Sequence, residues 1–283
     1  MENGKYKQWR KAKLESYPGS EEELLVDIGG LTKLSDAEKA LIIEKCQRYN
    51  MAIYKCRDKS VDRSAIREFA ANFGLQRADR HLCANDDGVS ELSVVTGGTR
   101  GGYVPYSNRS LSWHTDGYYN KESQRVRAVV LHCAASAATG GENALLDPDI
   151  AYIRLRDEDP RFITAFEHPV CMTIPANTGP QGEIRPEVSG PVFSYEDNGA
   201  IHMRYSARKK NISWRDDDVT RAARDFLAEI LADSNGEVFC HRLAPGEGLI
   251  SNNVLHNRTA FSDAAGQQRR LYRARFFDRI KAV

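Results

Sequence analysis

The sequence is short of several things whose absence narrows the reading. Its six cysteines (Cys46, Cys56, Cys83, Cys133, Cys171, Cys240) stand singly, and no two form a Cys-x-x-Cys pair. That spacing argues against structural zinc, and a disulfide framework is not expected in a chain of 283 residues. Most of them lie among apolar neighbours and are expected as small buried side chains. An excess of one charge is missing too: 40 Lys and Arg meet 39 Asp and Glu, a net +1. A nucleic-acid footprint or a polybasic membrane surface is therefore not expected. No apolar run approaches the roughly 18 residues of a membrane span, and the opening MENGKYKQWRKAKLE has no apolar signal core. The expectation is a cytoplasmic protein with a small-molecule partner, neither nucleic acid nor membrane, and a homo-oligomer is left open. Repeats and low-complexity tracts are absent. The one Gly-rich segment, TGGTRGGYVPYSN, lacks the Gly-Lys-Ser/Thr ending of a phosphate loop and opens no helix.

What is present reads as a globular domain. The hydrophobic fraction, 41%, suits a buried core. Residues 1 to about 23 are polar and aromatic without period, so residues 1–33 are expected as an N-terminal arm and 34–283 as a single domain. LSDAEKALIIEKCQRYN opens with Ser35 and Glu38 at capping-box spacing and predicts a helix stopping at Asn50. MAIYKCR reads as a buried strand, and VDRSAIREFAANFGL as an amphipathic helix closed by Gly74. From Glu91 short β-rich runs take over: ELSVVT, AVVLHCAA, PVCMTI, PVFSY, AIHMRYS, EVFCHRL and GLISNNVLH. Asn198-Gly199 between two of them signals a hairpin. Helical stretches interrupt near 150–156 and across DDDVTRAARDFLAEILAD. The fold class is mainly β with flanking helices, a sandwich or barrel.

The chemistry concentrates in SLSWHTDGYYN. On a strand His114 and Asp116, two apart, aim at one point while Thr115 points away. Alone such a pair is common, and a hydrogen-bonded turn explains it. A third ligand is available in His256, at the end of the apolar run LISNNVLH. After it, in QQRRLYRARFF, Arg269 and Arg273 alternate with Leu271. Two histidines and a carboxylate form a facial triad that leaves three positions open on Fe(II), which suits a bidentate 2-oxo acid and dioxygen. A dianionic co-substrate needs a guanidinium fork at its far end. The remaining histidines (His81, His132, His168, His202, His241) show no ligand spacing and are expected in structural or surface roles.

With those residues in view, the chain resembles the iron(II)/2-oxoglutarate-dependent dioxygenases of the taurine dioxygenase (TauD/TfdA-like) family, including its γ-butyrobetaine hydroxylase-like branch. The likeness runs from about Leu34 to the end. It rests on Trp113-His114-Thr115-Asp116, on His256, and on Arg269 and Arg273 four apart. It also includes GGEN, where Asn143 stands at the family's threonine. The resemblance implies a double-stranded β-helix (jelly-roll) core and hydroxylation of an aliphatic C–H bond, with succinate and CO2 as co-products. It implies Fe(II) held by the catalytic residues His114, Asp116 and His256, with 2-oxoglutarate and O2 as co-substrates. Arg269 is expected on the distal 2-oxoglutarate carboxylate, Arg273 nearer its metal-side carboxylate or the substrate, and Asn143 on the co-substrate. For a small, carboxylate-bearing substrate the candidates are Tyr103, Tyr106, Ser110, Trp113, Tyr118, Tyr119 and Arg204. Arg204 shares a strand face with His202 and Ser206. Residues 97–108 are expected as a lid. The competing class is a cupin-like metal isomerase or lyase, or a non-catalytic 2-oxoglutarate sensor.

Overall fold

The computed structural model describes residues 3–58, 61–80, 85–179, 182–232 and 236–283; His81 and Cys83 lie outside the described residues. Two sheets carry the body. The larger has six strands in the order Leu25–Ile28, Met51–Cys56, Glu247–Ser251, Ala128–Ala135, Arg270–Phe276, Val89–Leu92. Its first pair is parallel and the rest antiparallel. The smaller has four antiparallel strands in the order Phe239–His241, Asn143–Leu146, Leu255–Arg258, Leu111–His114.

Period-two alternation explains how the layers assemble. Met51 and Ile53 face inward with Leu249 and Leu271, where they meet Leu145 and Phe239 of the smaller sheet. Ala52, Tyr54, Ala274 and Phe276 face outward onto Ile66, Phe69 and Phe73. Three of those come from or follow the helix Arg63–Ala71, which Asp62 caps by accepting from the Ala65 N–H. Each such buried aliphatic or aromatic side chain contributes about 1.5–3 kcal/mol. A third core gathers the helices Pro148–Glu158, Pro160–Phe166 and Asp218–Ala232.

The predicted elements appear with shifted ends. The capping box at Ser35 and Glu38 is formed, and Asn50 ends that helix in the left-handed region at φ 58°. AVVLHCAA is a strand over its full length, and Phe193–Tyr195 pairs with Ile201–Met203 across the Asn198-Gly199 turn. The helical stretch near 150–156 proves to be two helices, because Asp159 and Pro160 stop one and start the next. One expectation is corrected outright. Residues read as an aperiodic arm contain the helix Asn3–Ser16. Its contacts are Tyr6 and Trp9 on the third core and a buried Lys13 bonded to Asp147 and Asp149, so no aliphatic stripe announces it. Leu25–Ile28, also within residues 1–33, is a strand of the larger sheet. Cys46, Cys56, Cys133 and Cys171 are buried and Cys240 is exposed. No helix among the described residues is long and apolar enough to cross a membrane.

Candidate metal centre

The centre is assembled by strand register. His256 and His114 are direct cross-strand partners, and their rings lie 4.2 Å apart between centroids. The strand carrying His114 ends there, so Asp116 lies just past it rather than on it. The chain turns because Gly117 takes φ 69°, and a Cβ at that position would meet Val126 Cγ2 at 2.5 Å. Thr115 faces the opposite way: its N–H bonds Tyr205 O at 3.0 Å, and its hydroxyl accepts from the Tyr205 N–H at 3.1 Å. Asn253 locks the turn from below. Its Oδ1 accepts from the Asp116 N–H at 2.7 Å, and its Nδ2 donates to Asp116 O at 2.9 Å and Val126 O at 2.7 Å.

His114, Asp116 and His256 thus come together, each offering a ligand atom within 4.8 Å of the others. Nδ1 of His114 lies 2.9 Å from Ser112 O, and Nδ1 of His256 lies 2.9 Å from Val254 O. Those carbonyls fix the tautomer and leave both Nε2 lone pairs for a metal. Burial, with His256 nearby, lowers the His114 pKa to about 3, so the ring is neutral at ordinary pH. Asp116 is buried, which alone would raise its carboxyl, but Arg273 and Arg275 hold it below the usual carboxylate range. Arg273 Nη1 is 3.1 Å and Arg275 Nη1 3.7 Å from Asp116 Oδ1, while Oδ2 has no hydrogen-bond partner among the described residues. Two neutral imidazole lone pairs and one orphaned carboxylate oxygen are a donor set that fits a divalent iron.

The family profile described as "Taurine catabolism dioxygenase TauD, TfdA family" matches residues 13–275. The chain belongs to that family. A uridine-5'-phosphate dioxygenase of Amycolatopsis sp. is 29% identical over 179 residues. That match spans 60% of this chain and 62% of the relative's length. Among solved structures, an asparagine oxygenase has a TM-score of 0.60 at 17% identity, covering 85% of this chain and 78% of the other. The non-heme iron oxygenase OrfP, in complex with Fe and α-ketoglutaric acid, has 0.64 at 15% identity, covering 98% and 92%. At such identities these two likenesses concern the fold.

Around the TauD-type triad, the other candidates divide. Arg269, 5% exposed, lies over the Phe261 ring at 4.8 Å and lines a small cavity with Gly140, Gly141 and Asn143. Tyr118 stands edge-on to His114 at 6.3 Å between ring centroids, and Arg208 donates to its hydroxyl at 3.2 Å. Tyr119 accepts from Arg275 Nη1 at 2.8 Å. Tyr103 is half-buried, with Asn177 Nδ2 at 3.5 Å from its hydroxyl. Trp113 packs on the helical core. Tyr106 and Ser110 are corrected. The first is 2% exposed inside the inter-sheet core, and the second faces solvent before the strand begins. Arg204 lines a cavity that Asp116 also borders, and its guanidinium rests on the carbonyls of Met172, Gly190 and Val188. Residues 97–108 form a short helix, Gly98–Gly101, and a turn at Val104–Tyr106, and Arg100 Nη2 reaches Asn85 Oδ1 at 2.7 Å.

Two contributors escaped the sequence reading. Arg275, 2% exposed, joins Asp116 to Asp79 (2.5 Å) and Tyr119. Its signal was there, since alternation puts 271, 273 and 275 on one strand face. Asn253 had only its left-handed φ of 55° as a mark, and sequence does not display that.

Proposed function

We propose that this chain is an iron(II)- and 2-oxoglutarate-dependent hydroxylase acting on an aliphatic C–H bond of a small anionic metabolite, carboxylate-bearing in the first instance. The observation that carries the reading is the orphaned Asp116 Oδ2 beside two imidazoles whose Nδ1 atoms are already engaged. Bound iron would supply the redox chemistry that couples decarboxylation of the oxo acid to oxygen insertion. The chain's own groups do the rest. His114, Asp116 and His256 hold the metal. Arg273 and Arg275 fix the Asp116 carboxylate by its other oxygen. Arg269 takes the distal carboxylate of 2-oxoglutarate, with Asn143 beside it. In support, Arg269 is buried, and its guanidinium donates no hydrogen bond among the described residues. A desolvated fork of that kind binds carboxylate strongly.

The two facing sheets are read as a double-stranded β-helix, a reading supported by the likeness to the iron oxygenases. An anionic substrate is supported by the Amycolatopsis relative, whose name specifies a phosphate ester. The test is anaerobic addition of Fe(II) and 2-oxoglutarate, followed by air and a panel of small carboxylates and phosphate monoesters. A visible charge-transfer band is expected without oxygen. Succinate, CO2 and a product heavier by one oxygen atom are expected with it. A wild-type protein that shows no band, or one that takes up the oxo acid and never turns it over with any substrate, sinks the proposal.

A further inference from the structure

Beside the metal loop lies a cavity of about 120 Å³, bounded on one side by Thr115, Asp116 and Gly117 and on the other by Arg125, His202 and Arg204. Its far wall is chemically unusual. His202 is 8% exposed, and its imidazole has no hydrogen-bond partner among the described residues. Burial, with Arg125 and Arg127 nearby, keeps that ring neutral, able to donate from one nitrogen and accept at the other. Arg204 gives Nη1 to Met172 O at 2.8 Å and Gly190 O at 3.3 Å, and Nη2 to Val188 O at 3.0 Å. Among the described residues no carboxylate pairs with it, so a largely buried cation stands without a counter-ion. Such a charge is costly unless an anion completes it. Arg125 bonds Ser194 Oγ at 2.8 Å, reaches out to Glu122 Oε1 at 3.2 Å, a glutamate side chain 73% exposed, and stands 4.0 Å from Glu196 Oε1, which Arg127 already binds at 2.8 Å. Across the cavity, the charge of Asp116 is already taken up by Arg273 and Arg275. The volume is well below the roughly 300–1,000 Å³ of a pocket for a whole drug-sized ligand. It fits an end group.

We propose that this cavity is an anion subsite for the terminal carboxylate or phosphate monoester of the substrate. Arg125 and Arg204 supply charge, and His202 supplies a neutral hydrogen bond. Calling the ligand a substrate rests on the hydroxylase reading; the binding of an anion does not. Bound there, the end group lies against the loop that carries Asp116.

The experiment uses the full chain loaded with zinc, as a diamagnetic substitute for iron, and with 2-oxoglutarate. Inorganic phosphate and acetate are titrated separately at constant ionic strength, and the ring nitrogens of 15N-labelled His202 are followed by NMR. A saturable shift is expected, with affinity at least about tenfold weaker in Arg125→Gln. Response to phosphate assigns the subsite to phosphate esters, and response to acetate assigns it to carboxylates. No saturable shift with either anion overturns the proposal, as does unchanged affinity in the variant. Should Arg125→Gln misfold, the wild-type shift alone still decides. The Fe(II)/2-oxoglutarate band is recorded in parallel: its absence removes the hydroxylase reading, while the anion titration stands or falls by itself.

Discussion

Two buried clusters of charged groups, one at the metal centre and one beneath the N-terminal helix, differ in how completely they are closed. In the second, Asp147 meets Lys13 Nζ at 2.6 Å, Asn50 Nδ2 at 2.8 Å and the Asp149 N–H at 2.9 Å. Asn50 Oδ1 in turn accepts from Arg279 at 2.7 Å and Asn252 at 3.1 Å. Lys13 also reaches Asp149 and Arg48 O. These contacts tie the first helix to the helix Pro148–Glu158 and to the C-terminal tail. At the metal centre Asp116 is equally buried and equally well supplied with cations, yet all its protein partners gather on one oxygen. A closed cluster holds the fold together; one with a spare oxygen beside two spare nitrogens leaves room for a ligand.

The comparison can be broken most directly at His256. In His256→Ala, turnover should fall by about 1,000-fold or more, roughly 4 kcal/mol of barrier, with the melting temperature almost unchanged because no buried charge loses its partner. Succinate release and a thermal melt read the two effects, and a large loss of stability would mean that this cluster is structural like the other. Lys13→Met should do the reverse. Leaving Asp147 and Asp149 buried without their cation costs about 3–5 kcal/mol, read as a lower urea midpoint, while the molecules that stay folded turn over normally. Arg269→Ala comes third. It should weaken 2-oxoglutarate binding by about 100-fold, near 2.7 kcal/mol, measured from the anaerobic band; near-normal affinity would move the clamp to another arginine.

The smallest effect sharpens the contrast through pH. Burial lowers His132 from the ordinary histidine value of 6.5 to about 4. Above 6.5 neither folded nor unfolded chain carries that proton, and the full stability is present. Below it the unfolded chain takes up a proton that the folded chain refuses, so stability falls by up to about 1.4 kcal/mol per pH unit until about pH 4. Urea midpoints at pH 7 and pH 5 should therefore converge in His132→Gln by about 2 kcal/mol relative to wild type. Equal acid sensitivity in both proteins would remove His132 from the account.

How far the sequence could be read follows from which interactions are local. Ser35 with Glu38, and Asn198 with Gly199, act within a turn, and their signals led to the right elements. The triad was legible because histidine and aspartate two apart, a late histidine and spaced arginines leave few other readings. Tyr106 misled because the composition of a loop does not tell which of its aromatic side chains turns into the core; for Arg204 a strand pattern gives the side chain's face but not its partners. Nothing near Arg204 in sequence marks the carbonyls of Met172 and Val188 as its partners. The first helix was missed for a related reason: its anchors are an aromatic pair and a lysine whose counter-charges lie more than a hundred residues away.

The strand order of the larger sheet has a consequence for how the molecule is made. Arg270–Phe276, more than a hundred positions later in the chain, lies between Ala128–Ala135 and Val89–Leu92, and Glu247–Ser251 fills the gap on the other side of Ala128–Ala135. A growing chain therefore exposes unpaired edges on both sides of Ala128–Ala135 until both later strands have emerged. Contacts this distant in sequence form slowly. His114 likewise waits 142 positions for His256, its partner across the ladder. The candidate centre is complete only when these two strands pair.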